Sequence, residues 1–205
     1  LLSGGLDSST CLAIAARDGF GVHALTFSYG QRHGKEVGLA KRMAERAGVL
    51  SHLVLEFPMD ELTVSSLMEP GVPLRDAGDA GREEGSREGA GVPADIPDTY
   101  VPGRNILFLA AAISRAEATG SAAVYIGANA VDYSGYPDCR PEFIRAFEKA
   151  AGLGTRAGAQ GRPIEVRAPI IGMSKGEIVK EAHRLGVPLE LTWSCYAGGE
   201  RPCGR

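Results

Sequence analysis

Short apolar runs alternate along this chain with segments of helical periodicity, and that alternation restricts the fold more than any other feature. Leu1-Leu2 reads as the end of a buried strand. A helix is predicted from about Ser8 to Arg17, with Leu12, Ile14 and Ala15 as its apolar positions and Gly19 and Gly21 breaking it. Val22 to Phe27 reads as a strand, and Lys35 to Ala47 as an amphipathic helix with Gly48 placed to cap it. Leu53 to Leu55, Ala122 to Ile126 and Ile164 to Ala168 read as further strands. Between them lie a strongly apolar helix from Ile106 to Ala118, expected to be buried on most sides, and a helix from Pro141 to Ala151 with proline in its first turn. The last helix carries a capping box, Ser174 with Glu177, and an expected apolar stripe of Ile178, Val179, Ala182 and Leu185; Gly186 and Pro188 end it. Strands that alternate with helices imply an α/β fold, a parallel sheet with helices on both faces. Functional sites of such sheets lie at the carboxyl ends of the strands.

Two stretches break the pattern. Glu69 to Asp98 is rich in Gly, Pro, Arg, Glu and Asp and has no aromatic residue, too little apolar area to offset its ordering entropy. It is predicted to be a flexible insertion, or a lid over the site. Gly152 to Gly161 reads as a flexible connection. Neither end looks natural: the chain opens on Leu1-Leu2 without Met and closes on Cys203-Gly204-Arg205.

Charge and cysteine content narrow the function class. A net charge of -3 argues against a broad basic surface for duplex nucleic acid, so no nucleic-acid partner is expected. No apolar run is long enough to span a bilayer, so no membrane association is expected. Four cysteines, Cys11, Cys139, Cys195 and Cys203, do not make a secreted disulfide scaffold, and a reducing cytoplasm fits them better. Cys11 reads as a core residue. Cys139 is not expected to bind zinc. His23, His33, His52 and His183 lack metal-like spacing, and His33 alone falls near the candidate loop.

That loop is Ser3-Gly4-Gly5-Leu6-Asp7-Ser8-Ser9, between a strand and a helix. Two glycines let the backbone turn tightly and come close to a ligand. Successive N–H groups and the helix N-terminus then suit a phosphate. Ser3, Ser8 and Ser9 add hydroxyl donors, and Asp7 either caps the helix or helps hold a magnesium ion. No Gly-Lys-Ser/Thr follows, so this is not a Walker loop. Leu2 and Thr10 flank the loop and join the expected nucleotide-binding set.

Other segments fall at the same sheet edge. Val101-Pro102-Gly103 turns into a helix that begins with Arg104 and Asn105, and an arginine there can bridge phosphate oxygens. Gly127-Ala128-Asn129 follows a strand. Beyond it Asp132, Tyr133, Tyr136 and Asp138 offer carboxylates to hydrogen-bond, and tyrosines to stack on, a purine-like base. Lys175 stands at a helix N-terminus, where the dipole disfavours a cation, and this misfit points to an anionic partner such as an ATP phosphate. Cys195 and Cys203, alone, are weak evidence for a metal.

The Ser-Gly-Gly-x-Asp-Ser string resembles the pyrophosphate loop of the N-type ATP pyrophosphatases, the PP-loop superfamily. Three further segments, Phe27 to His33, Tyr100 to Asn105 and Asp132 to Arg140, together with Thr192 to Tyr196, resemble the 7-cyano-7-deazaguanine synthase family over nearly the whole chain. The resemblance implies an adenine-nucleotide α-hydrolase-like (Rossmann-like) fold. It implies an ATP-dependent ligase of queuosine biosynthesis that joins 7-carboxy-7-deazaguanine to ammonia through adenylated intermediates. It gives Asp7, Arg104 and Lys175 the catalytic roles, and gives ATP contacts to residues 2–10, Arg104 and Gly127. It implies Mg2+ with the nucleotide, and a four-cysteine Zn2+ site of which Cys195 and Cys203 are two ligands. Residues 1–192 would then be the ATP-binding domain, with 69–98 its insertion, and residues 193–205 part of a zinc-binding tail. Oligomeric state stays open, a homodimer included. The competing readings are another PP-loop enzyme that amidates or thiolates a different substrate, and an ATP-binding module without chemistry. A thiolase would call for a cysteine near the loop, and a tRNA enzyme for a basic patch.

Overall fold

The computed structural model describes residues 1–29, 35–59, 100–129 and 135–193. Expectations for Glu69 to Asp98, Asp132, Tyr133, His33, Cys195 and Cys203 fall outside those residues. The elements run α1 (Leu6–Arg17), β1 (His23–Ser28), α2 (Lys35–Ala47), β2 (Ser51–Glu56), α3 (Arg104–Thr119), β3 (Ala123–Tyr125), α4 (Pro141–Gly154), α5 (Arg156–Ala159), β4 (Glu165–Arg167) and α6 (Lys175–Arg184). Single 3-10 turns cover Pro137–Cys139 and Leu189–Leu191.

Among the described residues all strand pairing is parallel. β1 pairs with β2, His23 opposite Ser51, and β3 with β4, Ala123 opposite Glu165. Leu1-Leu2 joins the two pairs. Its Leu2 N–H donates to the Leu25 carbonyl at 2.9 Å, and the Leu1 amino group donates to the Tyr125 carbonyl at 2.8 Å. Alternate side chains feed opposite faces. Leu25, Phe27, Val124 and Ile126 pack with Leu109 and Ile113 of α3 and Ile144 of α4. Leu2 and Ala24 pack with Leu12 of α1, Met43 of α2 and Ala182 of α6. Helices therefore cover both faces, and the α/β class read from the alternation holds.

Four local expectations are corrected. α1 begins at Leu6, two residues early, because Gly5 in extended backbone already serves as its N-cap. α3 is not buried on most sides. Ile106 is 47% exposed, and Ala110, Ser114 and Ala118 share its exposed stripe at four-residue spacing. Gly152 to Gly161 is largely helical: α4 runs to Gly154, the Thr155 hydroxyl caps α5 at the Gly158 N–H, and the Ala157 N–H donates to the Glu117 carboxylate at 2.7 Å. In α6, Val179 is 43% exposed, so the stripe is narrower than expected. The capping box of Ser174 and Glu177 is present, and Gly48 and Gly186 hold the positive φ that ends a helix. Among the described residues, no helix is long and apolar enough to cross a membrane.

Candidate functional site

The residues after Leu2 leave the sheet and enter α1 within three positions. Gly4 has φ +87°, and a Cβ there would strike the Glu36 carbonyl, so only glycine lets the loop lie this close to α2. The loop is braced from within. The Ser3 N–H donates to Ser8 Oγ at 3.1 Å, the Gly5 N–H to Ser3 Oγ at 3.3 Å, and Ser8 Oγ to the Gly5 carbonyl at 3.0 Å. Ser9 N–H closes the first helical bond, to the Gly5 carbonyl at 3.1 Å. The N–H groups of residues 6–8 come before it and, as in any helix start, have no intrahelical acceptor.

Beside the loop lies a cavity of about 380 Å3, at the carboxyl ends of β1 and β3. Leu2, Ser3, Gly5, Leu6, Asp7 and Ser8 form one wall. Gly127 follows β3 and packs so tightly on the start of α1 that a Cβ would lie 3.1 Å from the Asp7 carbonyl carbon and the Ser8 nitrogen. Arg104 and Asn105 enter from the start of α3, Lys175 from the start of α6, and Tyr136 from the loop before the first 3-10 turn. One cavity thus brings together the loop, Arg104, Gly127, Tyr136 and Lys175.

Asp7 is neither cap nor free acid. Its Oδ2 accepts from Lys175 Nζ at 2.7 Å and from Asn129 Nδ2 at 2.9 Å. The anion that the position of Lys175 called for is, in this state, Asp7. Asp7 Oδ1 is buried without a hydrogen-bond partner.

Two nucleotide-binding expectations do not fit the geometry. Ser9 and Thr10 do not line the cavity: Ser9 is 1% exposed, and Thr10 is fully buried with its hydroxyl donating to the Leu6 carbonyl at 2.8 Å. The helical turn carries Ser9 to the other side of α1 from Asp7, while Thr10 is held in the helix by that backbone bond. Asp138 is also drawn away from the cavity. Its Oδ2 accepts the Asn105 N–H at 3.0 Å, and the Asn105 side chain donates to the Asp138 carbonyl at 3.2 Å and to Cys139 Sγ at 3.1 Å. α3 has a left-handed glycine, Gly103, as its N-cap and no capping side chain of its own. Asp138 supplies that function from a distant loop. Burial raises its carboxyl pKa, with the Asn105 N–H and Arg104 pulling the other way.

Several cavity residues were not singled out as site residues from the sequence. Phe27 and Phe108 stack with ring centres 3.9 Å apart, and Tyr29 tilts onto Phe108 at 5.4 Å. Arg104 Nη1 lies 3.4 Å from the Tyr29 hydroxyl, which it donates to. Glu36 also lines the cavity, its carboxyl pKa raised by burial with Arg104 opposing. The Trp193 N–H donates to the Gly4 carbonyl at 3.0 Å, and Lys35 Nζ sits 5.3 Å above the indole. The chain following α6 therefore folds back onto the loop. Cys11 is core as expected: its thiol is buried against the Ile126 carbonyl, and burial pushes its pKa up to about 12. Among the described residues no His, Cys, Asp or Glu cluster suits a metal ion.

Known proteins match this chain over its whole length. A family model described as queuosine biosynthesis protein QueC matches residues 1–205. The 7-cyano-7-deazaguanine synthase of Trichodesmium erythraeum is 48% identical over 204 residues, 100% of this chain and 88% of that protein. Those of Gloeothece citriformis and Acetivibrio thermocellus are 46% and 45% identical over 204 residues, covering 84% and 85% of their own lengths. Among solved structures, the U34-tRNA thiolase NcsA from Methanococcus maripaludis aligns with a TM-score of 0.47 at 13% identity, over 99% of this chain and 58% of that one.

Proposed function

The chain belongs to the family described as queuosine biosynthesis protein QueC, and on that premise we propose that it is an ATP-dependent 7-cyano-7-deazaguanine synthase. It converts 7-carboxy-7-deazaguanine and ammonia to the nitrile through adenylated intermediates. The observation that carries this reading is convergence: the loop, the start of α1, Arg104 and Lys175 meet around one cavity at the strand ends. The fold is of the adenine-nucleotide α-hydrolase-like kind.

The chemistry needs activation. A carboxylate is a poor electrophile and oxide a poor leaving group. Transfer of AMP from ATP to the carboxylate oxygen releases pyrophosphate and makes that oxygen a leaving group. Ammonia attacks the carbonyl carbon, AMP departs, and loss of a proton leaves the amide. A second ATP activates the amide oxygen in the same way, and loss of AMP and of both protons on nitrogen gives the nitrile. The protein contributes position and charge. The loop and the first-turn N–H groups of α1 take phosphate oxygens. Arg104 and Lys175 offset the charge that builds on the leaving pyrophosphate. The stacked Phe27 and Phe108 with Tyr29 and Tyr136 offer flat apolar surface to a heterocycle. No nucleophilic triad is required.

Magnesium fits the residues present, since the orphaned Asp7 Oδ1 is an unspent acceptor in the cavity wall. When bound, the ion would neutralise phosphate charge. Asp7 would hold it. A structural zinc on Cys195 and Cys203, completed by further cysteines, is proposed for the tail. Elemental analysis of metal in the purified protein tests it, about one zinc per subunit being expected for a closed thiolate site.

The test of function is incubation with 7-carboxy-7-deazaguanine, ammonium and MgATP, followed by product mass. The nitrile, together with AMP and pyrophosphate, is expected. ATP consumed without a deazapurine product, or no ATP consumed, contradicts the proposal.

A further inference from the structure

Asn129 is completely buried, yet it carries an amide. Burying such a group costs free energy unless its hydrogen bonds are made. One of them goes 122 residues back along the chain, from Nδ2 to Asp7 Oδ2 at 2.9 Å. The chain is shaped to permit it. Gly127 lies against the Asp7–Ser8 backbone with no room for a side chain, which lets the segment after β3 pass under the first turn of α1.

The two donors on Asp7 Oδ2 differ in kind. Lys175 has a side chain 51% exposed on a flexible stem, and can leave for a phosphate. Asn129 is held by packing on every side and stays. The amide on Oδ2 restrains the carboxylate from turning, and Oδ1 lies buried without a hydrogen-bond partner. We propose that Asn129 is a positioning residue: its buried amide holds the Asp7 carboxylate in one orientation after Lys175 has been drawn to the nucleotide. This deepens, and rests on, the reading of the cavity as the ATP site. Asn129 touches neither substrate nor reacting atoms; it acts through Asp7.

Two variants test it. Asn129→Leu keeps the volume and removes the donor. Asn129→Asp keeps the shape and puts a carboxyl where the amide was. Two carboxyls this close cannot both ionise freely, so the pair should share a proton, with one pKa raised. When that proton is present, the new carboxyl donates to Asp7 Oδ2 as the amide does. Among the described residues, the charged and titratable groups facing the pair are Lys175 from α6 and the Cys11 thiol from α1, whose pKa burial pushes up to about 12.

Asn129→Leu should lower kcat by about 10- to 100-fold, the range for loss of a residue that orients a functional group. KM for ATP should change by less than about threefold if ground-state binding is spared. Asn129→Asp should recover activity as pH falls and lose it as pH rises, a limb that the wild type lacks. A merely structural role would not produce that profile. Carbon-13 NMR of the Asp carboxyls, with no turnover needed, should show one raised titration in Asn129→Asp. Wild-type kcat in Asn129→Leu, or a wild-type pH profile in Asn129→Asp, overturns the inference. So do two ordinary carboxyl titrations in Asn129→Asp. If the wild type makes no nitrile while the raised titration is seen, the functional reading fails and the Asn129–Asp7 coupling stands.

Discussion

Two cavities of nearly equal size lie at opposite ends of the strands. The one at the carboxyl ends measures about 380 Å3, the other about 370 Å3. The second is walled by Phe20, Val22, Leu50, Ala112 and Thr119, with Arg115, His23, Cys11 and Tyr125 as ionisable side chains. The first holds Asp7, Glu36, Arg104 and Lys175, a glycine loop and the start of three helices. Volume does not separate them; direction does. In a parallel sheet every strand ends at the same edge, and every following helix begins there. N–H groups without intrahelical partners therefore gather at one edge only, and charges placed among them act on the same ligand.

The sharpest way to break this contrast is Asp7→Ala. Turnover should fall by about 10²- to 10³-fold or more, the range for removing one preorganised polar group. The circular dichroism spectrum should be unchanged. Full activity would remove Asp7, and with it the carboxyl-end cavity, from the reaction.

Arg104→Lys keeps the charge but loses the planar fork. A drop of about tenfold in kcat/KM is expected, near 1.4 kcal/mol, since a lysine acts as a point charge. An unchanged value would mean that Arg104 acts only through its charge.

Asp138 sharpens the comparison through stability. Asp138→Ala removes the cap of α3 and should cost about 1 kcal/mol in urea unfolding. Asp138→Asn keeps an acceptor and removes the titration. Because burial raises the Asp138 pKa, the folded chain binds that proton more tightly than the unfolded chain does. This contribution to stability is full below the ordinary carboxyl pKa and is lost as pH rises through the folded value. Relative to wild type, Asp138→Asn should therefore gain stability as pH rises through that interval. A constant difference across it would contradict the burial argument.

The smallest effect belongs to the other cavity. Leu50 is 67% exposed at its rim, and Leu50→Ser should change stability by no more than about 0.5 kcal/mol. It should leave turnover untouched. A clear loss of activity would make the two ends equivalent and undo the comparison.

What could be read in the sequence was what neighbours in the chain determine. Ser174 and Glu177 are three residues apart, and their capping box was legible. Ser3 to Ser8 brace one another across five positions, so the loop was legible as a unit. Arg104 and Lys175 were found because each starts a helix. Contacts made across the fold left no local trace. Nothing near Asn129 announces Asp7, nothing near Asp138 announces the missing cap of α3, and Trp193 meets Gly4 only after the chain has crossed the sheet. The helix α5 was missed for the same reason, since the Glu117 carboxylate that receives its N–H comes from α3. Ser9 and Thr10 adjoin the loop in sequence but do not line the cavity: the turn of α1 carries Ser9 to its far side, and the Thr10 hydroxyl is spent on the Leu6 carbonyl.

Photolabelling with 8-azido-ATP, followed by peptide mass mapping, asks directly where the nucleotide sits. Label that MgATP competes away should fall on peptides of the carboxyl-end cavity, those holding Tyr29, Phe108 or Trp193. Competed label confined to the peptides of Phe20, Leu50 or Thr119 would place the nucleotide at the opposite end of the strands and contradict the assignment.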